Sequence, residues 1–168
     1  MRNSSKFSPR IGDGIQLKYG EEYCRESLKL HIRHHMDTKN IGNNDLAKKL
    51  RIGQSALSEI RNDVRLPSIR TFFIIRDFLL YGYKRKTATR RSNQFKKTYL
   101  KLLLHYRTVY GSQIHLSGST RIPRETLNNF QFNRSNSPDL GNACIICEYF
   151  DLTVEEVLNY PYDKLGVI

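Results

Sequence analysis

The chain has 168 residues, a formal charge of +12 and 39% hydrophobic content. That length suits one domain or two small ones, and the apolar share excludes a disordered chain. No apolar run approaches the roughly 18 residues that cross a bilayer, the opening MRNSSKFSPR is polar, and the cysteines (Cys24, Cys144, Cys147) are odd in number, so a cytoplasmic protein with reduced thiols is expected.

Residues 1–20 mix Ser, Gly, Pro and scattered charge without periodicity and read as an N-terminal arm or loosely packed lead-in. A first amphipathic helix is predicted over 21–36, where Leu28 and Ile32 fall four apart with Tyr23, Cys24 and His35 nearby. Asn40, Gly42 and Asn43 break it, and Asn43 or Asn44 suits the cap of a short second helix that turns Leu46, Ala47 and Leu50 inward. After Arg51-Ile52-Gly53, a third helix carries Ala56, Leu57 and Ile60 to the core. Asp63 marks a left-handed turn, and Pro67 precedes a fourth helix whose core face is Ile69, Phe72, Phe73, Ile75 and Leu79.

From Phe78 to Arg124 there is no Asp or Glu, yet Lys84, Arg85, Lys86, Arg90, Arg91, Lys96, Lys97, Lys101, Arg107, Arg121 and Arg124 all fall in that window. Such a tract attracts a polyanion with strong salt dependence. Its most basic part lacks the Trp, Leu and Phe stripe of an interfacial helix, which argues against a membrane partner. Residues 83–98 accordingly read as a basic linker joining units at 21–82 and 99–168.

Beyond that linker the plan repeats. Leu100, Leu103 and Leu104 mark a first helix and Leu116 a second, while Pro123 fits the first turn of a third that holds Leu127 and Phe130. Asn133 stands seventy residues after Asp63, and both residue types tolerate a left-handed backbone. With one extra residue before Pro138, the fourth helix follows with Leu140, Ile146 and Phe150, and a short fifth starts at Thr153 as cap.

The two stretches LAKKLRIGQSALSEIRNDVRLPSIRTFFIIRDFL and LSGSTRIPRETLNNFQFNRSNSPDLGNACIICEYFDLTVEEVL resemble the Cro/repressor type of helix-turn-helix domain, the lambda-repressor-like fold of four or five helices. Arg76 departs from that pattern, standing where the family has a small buried residue, and Gly118 weakens the second helix of the later copy. The resemblance implies an all-α protein with two such domains in tandem. In this family the second helix crosses the DNA backbone and the third lies in the major groove. Carried over, Gln54, Ser55, Ser58 and Glu59 would face bases in the first copy, and Arg124, Glu125, Asn128 and Asn129 in the second. Gln and Asn suit adenine, Arg guanine and Glu cytosine, so the two helices would prefer different sequences. Asn43 and Gln113 align at the start of the crossing helix as phosphate contacts, with Asn62, Arg65, Arg121 and Arg134 as further candidates, and the basic tract adds Lys84, Arg85 and Lys86.

Cys144 and Cys147 have the spacing of half a metal site, but on an apolar helix they read as core cysteines, so neither metal nor cofactor is expected. The cluster His31, His34 and His35 reads as helix surface or phosphate-adjacent. No phosphate-binding glycine loop, nucleophile elbow or zincin motif occurs, and the chain is not expected to be an enzyme. The reading is a double-stranded-DNA-binding transcriptional regulator, a repressor of a phage, plasmid or other mobile element, working in the bacterial cytosol or nucleoid. An adaptor or antitoxin-like regulator in which only the first domain binds DNA is the alternative, and a homodimer or protein partner stays open. Binding of RNA through the basic tract alone is a third reading.

Overall fold

The computed structural model describes the backbone of residues 8–110, 117, 118, 120–131 and 139–160, with side chains at all of these except 100, 103–110 and 128–131. Among them the protein is all-α, without a strand: a 3-10 turn at Ile11–Asp13, then α1 (Glu21–Lys39), α2 (Asn43–Leu50), α3 (Gln54–Arg61), α4 (Ile69–Tyr81), α5 (Arg85–Tyr110), α6 (Arg124–Gln131), α7 (Leu140–Phe150) and α8 (Val154–Leu158).

The helix ends have local chemical causes. Asn40 closes α1 in the left-handed region and Asp63 adopts it after α3, as residues whose short polar side chains tolerate that backbone. Gly82 closes α4 at φ 68, where a glycine carries no Cβ penalty. Ser68 caps α4 by accepting from the Thr71 N–H at 3.2 Å, and Asp139 caps α7 by accepting from the Asn142 N–H at 2.7 Å. Thr153 and Glu156 close a complete capping box on α8. Neither Asn43 nor Asn44 caps α2: Gly42 takes that place, without a side-chain bond. Pro123 stands one residue before α6 rather than within it, its carbonyl accepting from the Leu127 N–H. Leu116, Asn133 and Pro138 lie outside the described residues.

The repeat extends from sequence into backbone. Arg51 and Arg121 are both left-handed, at φ 55 and 62, and each introduces an eight-residue helix, α3 or α6. Ser68 and Asp139 cap their helices through the same bond to the third residue on. Packing follows the same correspondence. α1 lies on α3 and on α7, while α5 lies on α6 and on α4, so the first helix of each copy contacts its own third helix and the other copy's fourth.

Three further expectations are corrected. Residues 8–20 are not a loose arm: Ile15 and Leu17 are fully buried, the Ile15 carbonyl accepts from Arg76 Nε at 2.9 Å, and Ser27 Oγ donates to the Gly14 carbonyl at 3.0 Å. Residues 83–98 are not a linker, since Arg85 onward belongs to the 26-residue α5. Ala88, Ser92, Phe95, Tyr99 and Leu102 recur at four- and three-residue steps as its buried stripe, and Phe95 packs between Phe73 at 5.4 Å and Tyr99 at 6.3 Å. The buried residues of both copies consequently form one core. His31 is not on the surface either: it is buried, with Nδ1 2.8 Å from the Ser27 carbonyl and Nε2 3.3 Å from that of Ile11.

Candidate nucleic-acid interface

α2 and α3 bury Leu46, Ala47, Leu50, Leu57 and Ile60, which fixes the opposite sides of both helices toward solvent, while Ala56 is only half-buried. Gln54 and Ser55 are exposed at the start of α3, and Ser58 and Glu59 are half-buried one turn later. Asn43, at the start of α2, ties the two helices together. Its Nδ2 donates to the Gln54 carbonyl at 3.4 Å and to Ser58 Oγ at 3.3 Å, and its Oδ1 accepts from Arg61 Nη1 at 3.1 Å. The side chain expected to hold a phosphate is therefore engaged in setting the angle of α3, and only the Asn43 backbone N–H remains for a ligand.

Glu59 pairs with Arg65 at 2.8 Å, so these two arrive as a neutralised couple rather than as an independent base reader and phosphate contact. Arg65 is exposed and Glu59 partly so, and such a pair is held only weakly in water. Asn62 is exposed at the end of α3. In the second copy Arg124 and Glu125 are exposed at the start of α6, and Arg121 is exposed in the left-handed turn before it. Asn128 and Asn129 are on α6, with side chains outside the described set, and Gln113 and Arg134 lie outside the described residues altogether. Lys84 and Lys86 are exposed, and half-buried Arg85 donates to the Arg51 carbonyl.

Taking the basic tract for a tether hid a second feature of α5. Lys86, Arg90, Lys97 and Lys101 are exposed at intervals of four, seven and four, which aligns them on the face opposite the buried stripe. Arg91 instead turns inward, with Nε 2.7 Å from Asp77 Oδ2 and its guanidinium over the Tyr81 and Tyr83 rings. The four-seven-four interval is readable in sequence once the segment is treated as a helix.

Cys24, Cys144 and Cys147 are free and fully buried, and the described residues contain no group of three or more His, Cys, Asp or Glu able to hold a metal ion. Burial pushes the Cys147 thiol up to about 12, so this sulfur carries no thiolate chemistry at neutral pH. No helix among the described residues is long and apolar enough to cross a membrane. Comparison with protein-family models, with curated proteins and with solved structures yields no match to this chain.

Proposed function

We propose that this protein is a sequence-specific double-stranded-DNA-binding transcriptional regulator, a repressor of the compact kind carried by mobile genetic elements. The observation that supports the reading most is the reciprocal packing of the two copies, in which α1 lies on α3 and α7 while α5 lies on α6 and α4. Around it stand the exposed Gln54-Ser55 and Arg124-Glu125 ends, the Asn43 link that sets α3 against α2, and the cationic face of α5. The exposed side chains differ between the copies, so the DNA site is asymmetric, with adenine preferred opposite Gln54 and guanine opposite Arg124.

Selection of bound sequences from random DNA, followed by footprinting of Gln54→Ala and Arg124→Ala separately, tests this. Each substitution is expected to cost about 1–3 kcal/mol and to relax a different part of the site. Loss of the same bases in both variants, or a preference for specific over random duplex well under about 10³ at ~150 mM salt, overturns the two-reader arrangement.

A further inference from the structure

A cavity of about 360 Å3 opens between the end of α2, the outer half of α4 and the start of α5. Its charged lining residues are all cations: Lys49, Arg51, Lys84, Arg85 and Lys86. Elsewhere Arg25, Lys29, Arg65, Arg76 and Arg91 each lie within ion-pair distance of a carboxylate. Among the described residues none of the five cavity cations has such a partner. Five cationic residues around one concavity, with no carboxylate among the lining, make it favourable for an anion.

The cavity is also shaped, not merely charged. Ile74 and Phe78 supply an apolar floor. Gly82, left-handed at φ 68, turns the chain so that Tyr83 forms part of the wall. The Tyr83 ring is held from outside by Tyr81, centroids 5.1 Å apart, and by the Arg91 guanidinium 5.5 Å away. Arg85 is fixed across the cavity by its bond to the Arg51 carbonyl, which joins the α2 end to the α5 start. Cations lining the cavity beside a braced aromatic ring and an apolar floor match a phosphate joined to a planar ring. The volume lies at the small end of the roughly 300–1,000 Å3 range of small-molecule pockets, which fits one nucleotide.

We propose that this cavity is a binding site for a nucleoside phosphate, separate from the duplex-reading ends of α3 and α6. The backbone of a DNA duplex is convex and has no use for an apolar floor, so a free nucleotide or the phosphorylated end of a strand is the better match. Cations of the cavity hold the phosphate oxygens, and the Tyr83 ring and floor take the base.

The test is calorimetric titration of the full chain at ~150 mM salt with AMP, ADP, GTP, inorganic pyrophosphate and a short duplex with or without a 5′-phosphate. A nucleoside phosphate is expected to bind with a dissociation constant below about 1 mM, weakening at least about tenfold in K84A/K86A, whose exposed side chains are removable without unfolding, as a melting curve verifies. Tyr83→Ala should weaken nucleotides while sparing pyrophosphate. Binding of the 5′-phosphorylated duplex in preference to the unphosphorylated one assigns the strand end as source, and binding of the mononucleotides alone assigns the free ligand. The proposal is overturned if no nucleoside phosphate binds, if binding survives K84A/K86A, or if those substitutions weaken only duplex binding irrespective of its 5′ end.

Discussion

Arg76 is fully buried at a position whose counterpart in the second copy is the small, fully buried Cys147. Removing an isolated guanidinium from water costs many kcal/mol, so its burial depends on acceptors on every side. They come from three parts of the chain: the Ile15 carbonyl at 2.9 Å, Asp77 Oδ1 at 3.0 Å, and Glu155 of α8. Glu155 further accepts from Gln16 and Tyr81. Burial alone would raise its pKa, but the Arg76 charge and the hydrogen bonds from Arg76, Gln16 and Tyr81 outweigh that and hold it at about 2. Asp77 goes the other way: burial outweighs Arg91 and Arg76 and its pKa is raised. For Glu155 the folded value lies below the ordinary 4.5, so its stabilisation is complete above that pH and is lost as pH falls toward about 2. For Asp77 stability is instead lost as pH rises above its ordinary value. Glu155→Gln should lower stability near pH 7 by about 1–2 kcal/mol, a figure reduced for the partial exposure of this carboxylate. Denaturant titrations from pH 7 to 2 should show the gap from the parent protein closing in acid; a constant gap excludes this linkage.

At the scale of elements, α5 gathers the most consequence. Its buried stripe joins α4 of the first copy to α6 and α8 of the second. Phe95 is fully buried within that stripe, and truncation to Ala removes a ring from between Phe73 and Tyr99. Phe95→Ala should therefore cost about 3–5 kcal/mol. Because the core is continuous, thermal unfolding should stay a single transition shifted as a whole; a surviving transition from the first copy alone would mean that the copies fold independently. α2 to α4 were legible as sequence because their inward positions repeat at helical spacing, as Leu46, Ala47, Leu50, Leu57, Ile60, Ile69, Phe72 and Phe73 show. Of α5 only the part marked by Leu100, Leu103 and Leu104 was legible; its start was not, since its cations outnumber the apolar residues of the stripe and drew attention to charge over periodicity.

For the whole molecule, the charge of +12 becomes informative only after the cations are placed. Arg76 and Arg91 are consumed by the buried network, Lys84, Arg85 and Lys86 line a cavity, and Arg90, Lys97 and Lys101 are exposed on the outer face of α5. If that face runs beside a duplex, replacing Arg90, Lys97 and Lys101 by Gln should reduce the slope of log affinity against log salt by up to about 3, leaving base preference intact. Filter binding over a salt series measures this. An unchanged slope removes α5 from the interface.

Sequence by itself determined the elements whose causes are local: helix periodicity, the cap at Thr153, the left-handed turn at Asp63 and the duplication of the plan. It also brought the exposed ends of α3 and α6 into view, because one scaffold repeated with different polar residues is visible without coordinates. Tertiary structure alone decided that Asn43 links α2 to α3, that the segment before α1 is core, and that the supposed tether is a packed helix. It alone paired Arg76 with Glu155 and gathered Lys49 and Arg51 with Lys84, Arg85 and Lys86. The division has a physical reason: periodicity and capping act within a few residues, whereas a buried charge takes its partner from whichever distant segment the packing delivers.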